Sequence, residues 1–291
     1  MRWMITDSGL GGLSVCAGLE EKLLEANGGS GIDLLYVNAT PDDRIGYNAL
    51  ETQAERISLF DKFLWSANTL FAPDEIAIAC NTLSVIYDQT SFAEECSVDV
   101  SGIVEAGVEL CEQNLACTDE KNVIIFATET TTETNTYPNS IHSDAKIIGQ
   151  ACPGLAHAIS NDASGVDCRN LLEKYVDEAL QKFEEIPRSV LAFLGCTHYG
   201  YQSDIFREVL EKRGIATSII NPNDRLIQKL QLGLQKQTTD SDHKLTVRFI
   251  TRYPIPQVEI DSMVAYLGKS APLTLQALQS HEVMSHLFDS K

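Results

Sequence analysis

Ile76-Ala77-Ile78-Ala79-Cys80-Asn81-Thr82 is an apolar run that ends in a thiol, an amide and a hydroxyl. Its apolar part is near-continuous rather than alternating, as in a strand covered by helices on both faces. A segment of helical period, 82–92, follows at once. Leu194-Gly195-Cys196-Thr197-His198-Tyr199 repeats the setting, with a second thiol where the run 189–194 gives way to a turn. Outward from these two stretches, apolar runs at 2–6, 33–38, 122–127, 145–148, 217–220 and 245–250 alternate with helical patterns such as 14–25, 51–66, 171–183 and 204–213. Such alternation predicts an α/β fold of mainly parallel, doubly wound sheets. The recurrence of the Cys turn predicts two similar halves facing each other across an active-site cleft. Ligands of open α/β sheets sit at the carboxyl ends of strands. The clusters Thr6-Asp7-Ser8, Val37-Asn38-Ala39-Thr40 and Thr128-Glu129-Thr130-Thr131 should therefore line the cleft with the two Cys turns.

The stretch 97–102 and the turn at 212–214 mark the expected boundaries. They give a first α/β domain of 1–99 plus 214–291, with the tail from about Lys244 returning to it, and a second of 100–213. The polar stretch 235–243 reads as an exposed loop.

Composition narrows the function. The chain has 291 residues, 44% of them hydrophobic, enough to fill real cores. No apolar run approaches the roughly 18 residues of a membrane span, and the opening Met-Arg-Trp-Met-Ile-Thr-Asp-Ser-Gly leaves no room for a signal-peptide apolar region. A cytoplasmic protein is expected. A net charge of -19 repels nucleic acid and anionic membranes, so neither is an expected partner. An anionic substrate would need local help, such as backbone N–H groups at helix starts. The eight cysteines include no Cys-x-x-Cys pair, which removes the common zinc and dithiol spacings. Most should be reduced and structural.

Taken singly, each thiol has a bland explanation as a buried Cys before a capping turn. Three neighbours argue otherwise. Asp7-Ser8-Gly9-Leu10-Gly11-Gly12-Leu13-Ser14 places a carboxylate beside glycines that allow close backbone approach. It matches neither the dinucleotide fingerprint nor the P-loop. Cys80 stands at a helix start, where the helix dipole favours the thiolate. His198 stands two residues after Cys196 and can exchange a proton with it. Two matched thiols suit symmetric proton chemistry. Inverting an α-carbon needs one base on each face of a planar carbanion, and reversing the reaction swaps their roles. No Lys-anchored cofactor motif is evident.

The motifs at 7–15, 79–82 and 194–199 resemble glutamate racemase in order and spacing. Ala127-Thr128 with Thr131, Thr134 and Tyr137 is similar to that family's central Thr-rich loop, Ala151-Cys152-Pro153 to another family segment, and Val247–Thr251 to its late strand. The resemblance covers nearly the whole chain. It implies two doubly wound α/β domains and a small-molecule amino-acid substrate. It implies no cofactor or metal, and it adds a homodimer as the partner to look for. It makes Cys80 the base for the D-enantiomer, assisted by Asp7, and Cys196 the base for the L-enantiomer, assisted by His198. Ser8, Asn81, Thr82, Thr128, Thr131 and Thr197, with the turn at Gly46 and Tyr47, would bind the substrate. The expected activity is interconversion of L- and D-glutamate, supplying D-glutamate for peptidoglycan.

The chain departs from the family at three places. Arg44 is kept, but the family's Pro-Tyr-Gly turn reads Gly46-Tyr47-Asn48. Ser160, with His157 upstream, stands where the family carries Glu. Tyr199-Gly200-Tyr201 replaces Tyr-Pro-Leu. These changes spare the thiols and bear on specificity, which is set by the pocket. A racemase of another amino acid such as aspartate, or a glutamate-binding protein without turnover, are the alternative expectations.

Overall fold

A computed structural model describes residues 1–26, 29–42, 45–235 and 244–289. Arg44 and positions 236–243 lie outside the described residues. The described strands are β1 (Arg2–Asp7), β2 (Asp33–Asn38), β3 (Glu75–Ile78), β4 (Asp99–Gly102), β5 (Asn122–Ala127), β6 (Lys146–Ala151), β7 (Ser189–Gly195), β8 (Ala216–Ile220), β9 (Thr246–Thr251) and β10 (Glu282–Val283). They form two sheets, ordered β10-β9-β2-β1-β3-β4 and β6-β5-β7-β8, and every pairing is parallel. The fold is α/β, as the alternation of strand and helix patterns predicts. No described helix is long and apolar enough to cross a membrane.

The continuous apolar runs have a direct cause. Successive side chains of a strand point to opposite faces, and both faces are covered. Trp3 and Ile5 of β1 enter one core while Met4 enters another. In the second sheet Ile124 and Phe126 face one core, and Val123 and Ile125 face the other.

Topology and register locate the site. In the first sheet β2 lies on one side of β1 and β3 on the other; in the second, β6 and β7 flank β5 in the same way. Each sheet therefore has a switch point, where strand order reverses and a crevice opens at the carboxyl ends. Thr6 pairs with Ile78, so Ser8, next to Asp7, and Cys80 leave the first sheet side by side. Ala127 pairs with Gly195, so Thr128 and Cys196 leave the second sheet side by side.

Two expected boundaries are corrected. The stretch 97–102 contains β4, an edge strand whose Asp-Val-Ser-Gly has too little apolar content to read as one. The turn at 212–214 does not end the second half, because β8 pairs with β7. The chain returns through helix Pro222–Gln235, and β9 then pairs with β2 in the first sheet. The pattern 82–92 is two helices, Asn81–Tyr87 and Ser91–Glu95, the second capped by Thr90.

One buried carboxylate ties the C-terminal part to the first helix. Glu20, fully buried in helix Leu13–Glu25, accepts from the Leu273 and Thr274 backbone N–H groups and the Thr274 hydroxyl, all at 2.8 Å. The two backbone N–H groups open helix Pro272–Gln279 and would otherwise lack partners. Glu20→Ala leaves them unpaired and is expected to cost about 3 kcal/mol. Glu20→Gln keeps one acceptor oxygen and should lose roughly half of that. Urea unfolding of the two variants measures both; a parent-like Glu20→Gln beside a full loss in Glu20→Ala would show that side-chain volume, not capping, matters there.

Candidate active site

The loop after β1 meets the loop after β7. A Cβ on Gly11 would overlap the Thr197 hydroxyl and come within 2.7 Å of the His198 backbone nitrogen, and one on Gly12 would lie 2.8 Å from Asp7 Cβ. These glycines serve close approach of the two halves, not an unusual backbone angle. Tyr36 donates to the Gly9 carbonyl at 2.6 Å, and Ser14 to the Gly11 carbonyl at 2.8 Å, fixing the loop from both sides.

Asp7 is almost fully buried and accepts from Thr197 Oγ1 at 2.9 Å and from the backbone N–H groups of Gly9 and Gly12. Burial outweighs these three bonds and pushes its carboxyl up to about 7. The charge of Asp7 acts on both thiols. Asp7 thus belongs to the Cys80 side by its strand and to the Cys196 side by its hydrogen bond.

Cys80 precedes helix Asn81–Tyr87 and is 5% exposed, with Ser8 Oγ 3.0 Å from its sulfur. Its helix-start position predicts a lowered thiol pKa, and the structure corrects this. Burial, with Asp7 adding to it, pushes the thiol up to about 12 against the bonds from Ser8 and Leu83. Cys196 is raised further, mainly by burial. His198 Nδ1 lies 3.8 Å from the Cys196 sulfur, and burial depresses this imidazole to about 4, so it is neutral at physiological pH.

Hydroxyls bridge the two sheets beside the thiols. Thr82 Oγ1 and Thr128 Oγ1 are 2.8 Å apart, and Thr128 Oγ1 and Thr131 Oγ1 are 3.0 Å apart. Tyr137 donates to Asn81 Oδ1. The Asn81 amide nitrogen and the Tyr47 hydroxyl are buried and have no hydrogen-bond partner among the described residues. Unpaired buried donors are costly unless something else satisfies them, so both are available to a ligand.

The structure therefore gathers Asp7, Ser8, Cys80, Asn81, Thr82, Thr128, Thr131, Cys196, Thr197 and His198. Tyr47 joins them, its ring buried and its hydroxyl within the field of Cys80. Gly46 makes no such contact: it is half-buried, has open space where a side chain would lie, and only begins the turn Tyr47–Ala49. Ser160 is buried and His157 exposed. Tyr201 stacks on Tyr266 at 4.8 Å, and its hydroxyl lies 3.4 Å from the Leu10 and Gly11 carbonyls, so this departure still braces the glycine loop. Sequence reasoning missed Asn223, which donates to Ser14 Oγ at 2.8 Å and to the Thr197 carbonyl at 3.0 Å, and missed the role of Asn48 and Arg56. Nothing in their local sequence distinguishes them from ordinary loop and helix polar residues.

No protein-family model matches the chain. A curated glutamate racemase from Fusobacterium nucleatum is 28% identical over 254 residues, 84% of this chain and 86% of the relative. Glutamate racemase 3 of Caldanaerobacter subterraneus is 29% identical over 229 residues, 76% of this chain and 74% of the relative. The solved glutamate racemase of Francisella tularensis, in complex with D-glutamate, superposes with a TM-score of 0.72 at 22% identity, covering 100% of this chain and 98% of that one. The glutamate racemase of Bacillus anthracis gives 0.71 at 20% identity, covering 92% and 94%. In sequence and in fold, the chain is similar to the glutamate racemases, as its three motifs imply.

Proposed function

We propose that this chain is a cofactor-independent racemase that interconverts L- and D-glutamate by moving the α-proton between Cys80 and Cys196. The supporting observation is the pair of buried thiols, each beside the switch point of its own parallel sheet. The charge of Asp7 acts on both, and His198 stands beside one of them. In this reading one cysteine, as thiolate, takes the α-proton and the opposite thiol gives its proton to the other face of the planar intermediate. The products are the inverted amino acid and a thiolate on the second cysteine, so the next turnover in reverse uses the same groups. Burial makes each thiolate a strong base, as a weakly acidic α-proton requires. The substrate ammonium brings a positive charge that favours the thiolate. Ser8, Asn81, Thr82, Thr128, Thr131 and Thr197 hold its charged ends, and Tyr47 closes the side-chain end.

Each sheet with its covering helices would act as one domain. The cellular setting this reading implies is a cytoplasmic homodimer feeding D-glutamate to peptidoglycan synthesis.

Incubating either enantiomer in deuterated water tests the proposal. Loss of the α-proton signal together with appearance of the opposite enantiomer is expected for glutamate, and weaker turnover for aspartate. Binding without exchange would overturn it, and faster turnover of aspartate would move the substrate assignment.

A further inference from the structure

The turn that replaces the family's Pro-Tyr-Gly is held in a way its sequence does not reveal. Tyr47 heads the turn Tyr47–Ala49, with its ring edge-on to Phe60. Arg56, buried in helix Gln53–Phe71, donates through Nε to the Tyr47 carbonyl at 3.1 Å and through Nη2 to the Leu50 carbonyl at 3.0 Å. Its remaining arm, Nη1, donates to Glu133 Oε2 at 3.2 Å. Asn48 Oδ1 accepts from the Thr130 backbone N–H at 3.2 Å and from the Thr130 hydroxyl at 2.7 Å. Thr130 and Glu133 lie in helix Glu129–Glu133, which follows β5 of the second sheet. The same helix carries Thr131, already linked through Thr128 to Thr82.

We propose that Asn48 and Arg56 are positioning residues that clasp the Tyr47 turn to the second half and hold it closed over the thiols. This rests on the racemase reading for its kinetic consequences, though not for the clasp itself. Arg56 binds two carbonyls of the turn and so stays with the first half. Of the bonds that hold this turn, the one from Arg56 to Glu133 and the two to Asn48 cross between halves, so these must break for the turn to lift away from the second half. A planar guanidinium can serve three acceptors in fixed directions, and a lysine ammonium cannot reproduce that fork. Asn48, where the family has Gly, thus supplies a cross-half bond that a glycine lacks.

Two readouts test the clasp, one of them independent of turnover. The first is the iodoacetamide alkylation rate of Cys80, followed by mass spectrometry on the full-length protein. The second is the KM and kcat for glutamate. Asn48→Ala and Thr130→Val should each raise the alkylation rate at least fivefold. Each should also raise KM about tenfold with kcat changed less than threefold, the pattern of lost uniform binding. Thr130→Ser keeps the hydroxyl and should behave as the parent. The double variant Asn48→Ala/Thr130→Val should be no worse than Asn48→Ala alone, because Asn48→Ala already removes the bond that Thr130→Val deletes. Parent-like alkylation in both single variants overturns the clasp, as does a Thr130→Ser variant as open as Thr130→Val. A parent protein that fails to exchange glutamate overturns the racemase reading and leaves the alkylation test to decide the clasp.

Discussion

Replacing Cys196 by alanine is expected to lower kcat/KM for L-glutamate and for D-glutamate by one and the same factor, on the order of 10^4. The equality is thermodynamic. Enantiomers have equal free energies in water, so the ratio of the two kcat/KM values is the equilibrium constant, which is one and cannot be altered by a substitution. The size follows from removing one of two obligatory proton carriers. A factor of that order is about 5.5 kcal/mol of barrier, whereas loss of a buried sulfur from a packed cluster costs on the order of 1 kcal/mol of stability. The fold therefore survives, and circular dichroism should be unchanged. Asymmetry appears in exchange alone. With Cys80 intact, Cys196→Ala should still wash deuterium into D-glutamate while leaving L-glutamate untouched, and Cys80→Ala should do the reverse. Inversion within tenfold of the parent, or exchange of the same enantiomer by both variants, would rule out one base per face.

Asp7→Asn is the second large effect, and it carries a pH signature. Burial places the Asp7 carboxyl at about 7 and holds both thiols far above neutral, so near pH 7 the thiols are protonated and Asp7 is half ionised. Only the carboxylate form can accept a thiol proton. The parent kcat/KM should therefore fall tenfold per unit as pH drops below about 7. His198, depressed to about 4, stays neutral across that range and adds no second limb. In Asp7→Asn the acid limb near 7 should vanish and activity at pH 8 should be lower by about 10^3.

Stability moves the other way. A carboxyl raised from 3.8 to about 7 on folding contributes stability that is complete below the unfolded value and is lost as pH rises through the folded one. Relative to the parent, Asp7→Asn should therefore gain on the order of 4 kcal/mol between pH 4 and pH 8. Denaturant melts of both proteins across that range give the difference directly, and a flat difference would show that Asp7 is not the strained carboxyl described.

The residues whose chemistry adjoins a strand end were legible from the chain alone. Asp7, Ser8, Cys80, Thr128 and Cys196 each follow a short apolar run, and the α/β class places such residues at a crevice. Strand limits came within a few residues where runs were apolar throughout, as at Asp33–Asn38 and Asn122–Ala127. β4 carries no readable signal because an edge strand needs little apolar content. β8 belongs with the second sheet although a whole helix separates it from its partner, β7, and no local pattern reveals that pairing.

The direction of the thiol shift was also beyond local reading. Cys80 at a helix start suggests a thiolate, yet it is packed into a core of the first half, and desolvation outweighs the nearby donors. The clasp of Asn48 and Arg56 on Thr130 and Glu133 joins segments with no common sequence pattern. By itself the sequence determined which residues are strand, turn or helix, and hence which side chains stand at carboxyl ends, because these depend on neighbours a few bonds away. The tertiary structure alone decided which ends meet, how dry the thiols are and what holds Tyr47 over them. Those depend on groups brought together from distant parts of the chain, and on water excluded only once both halves are in place.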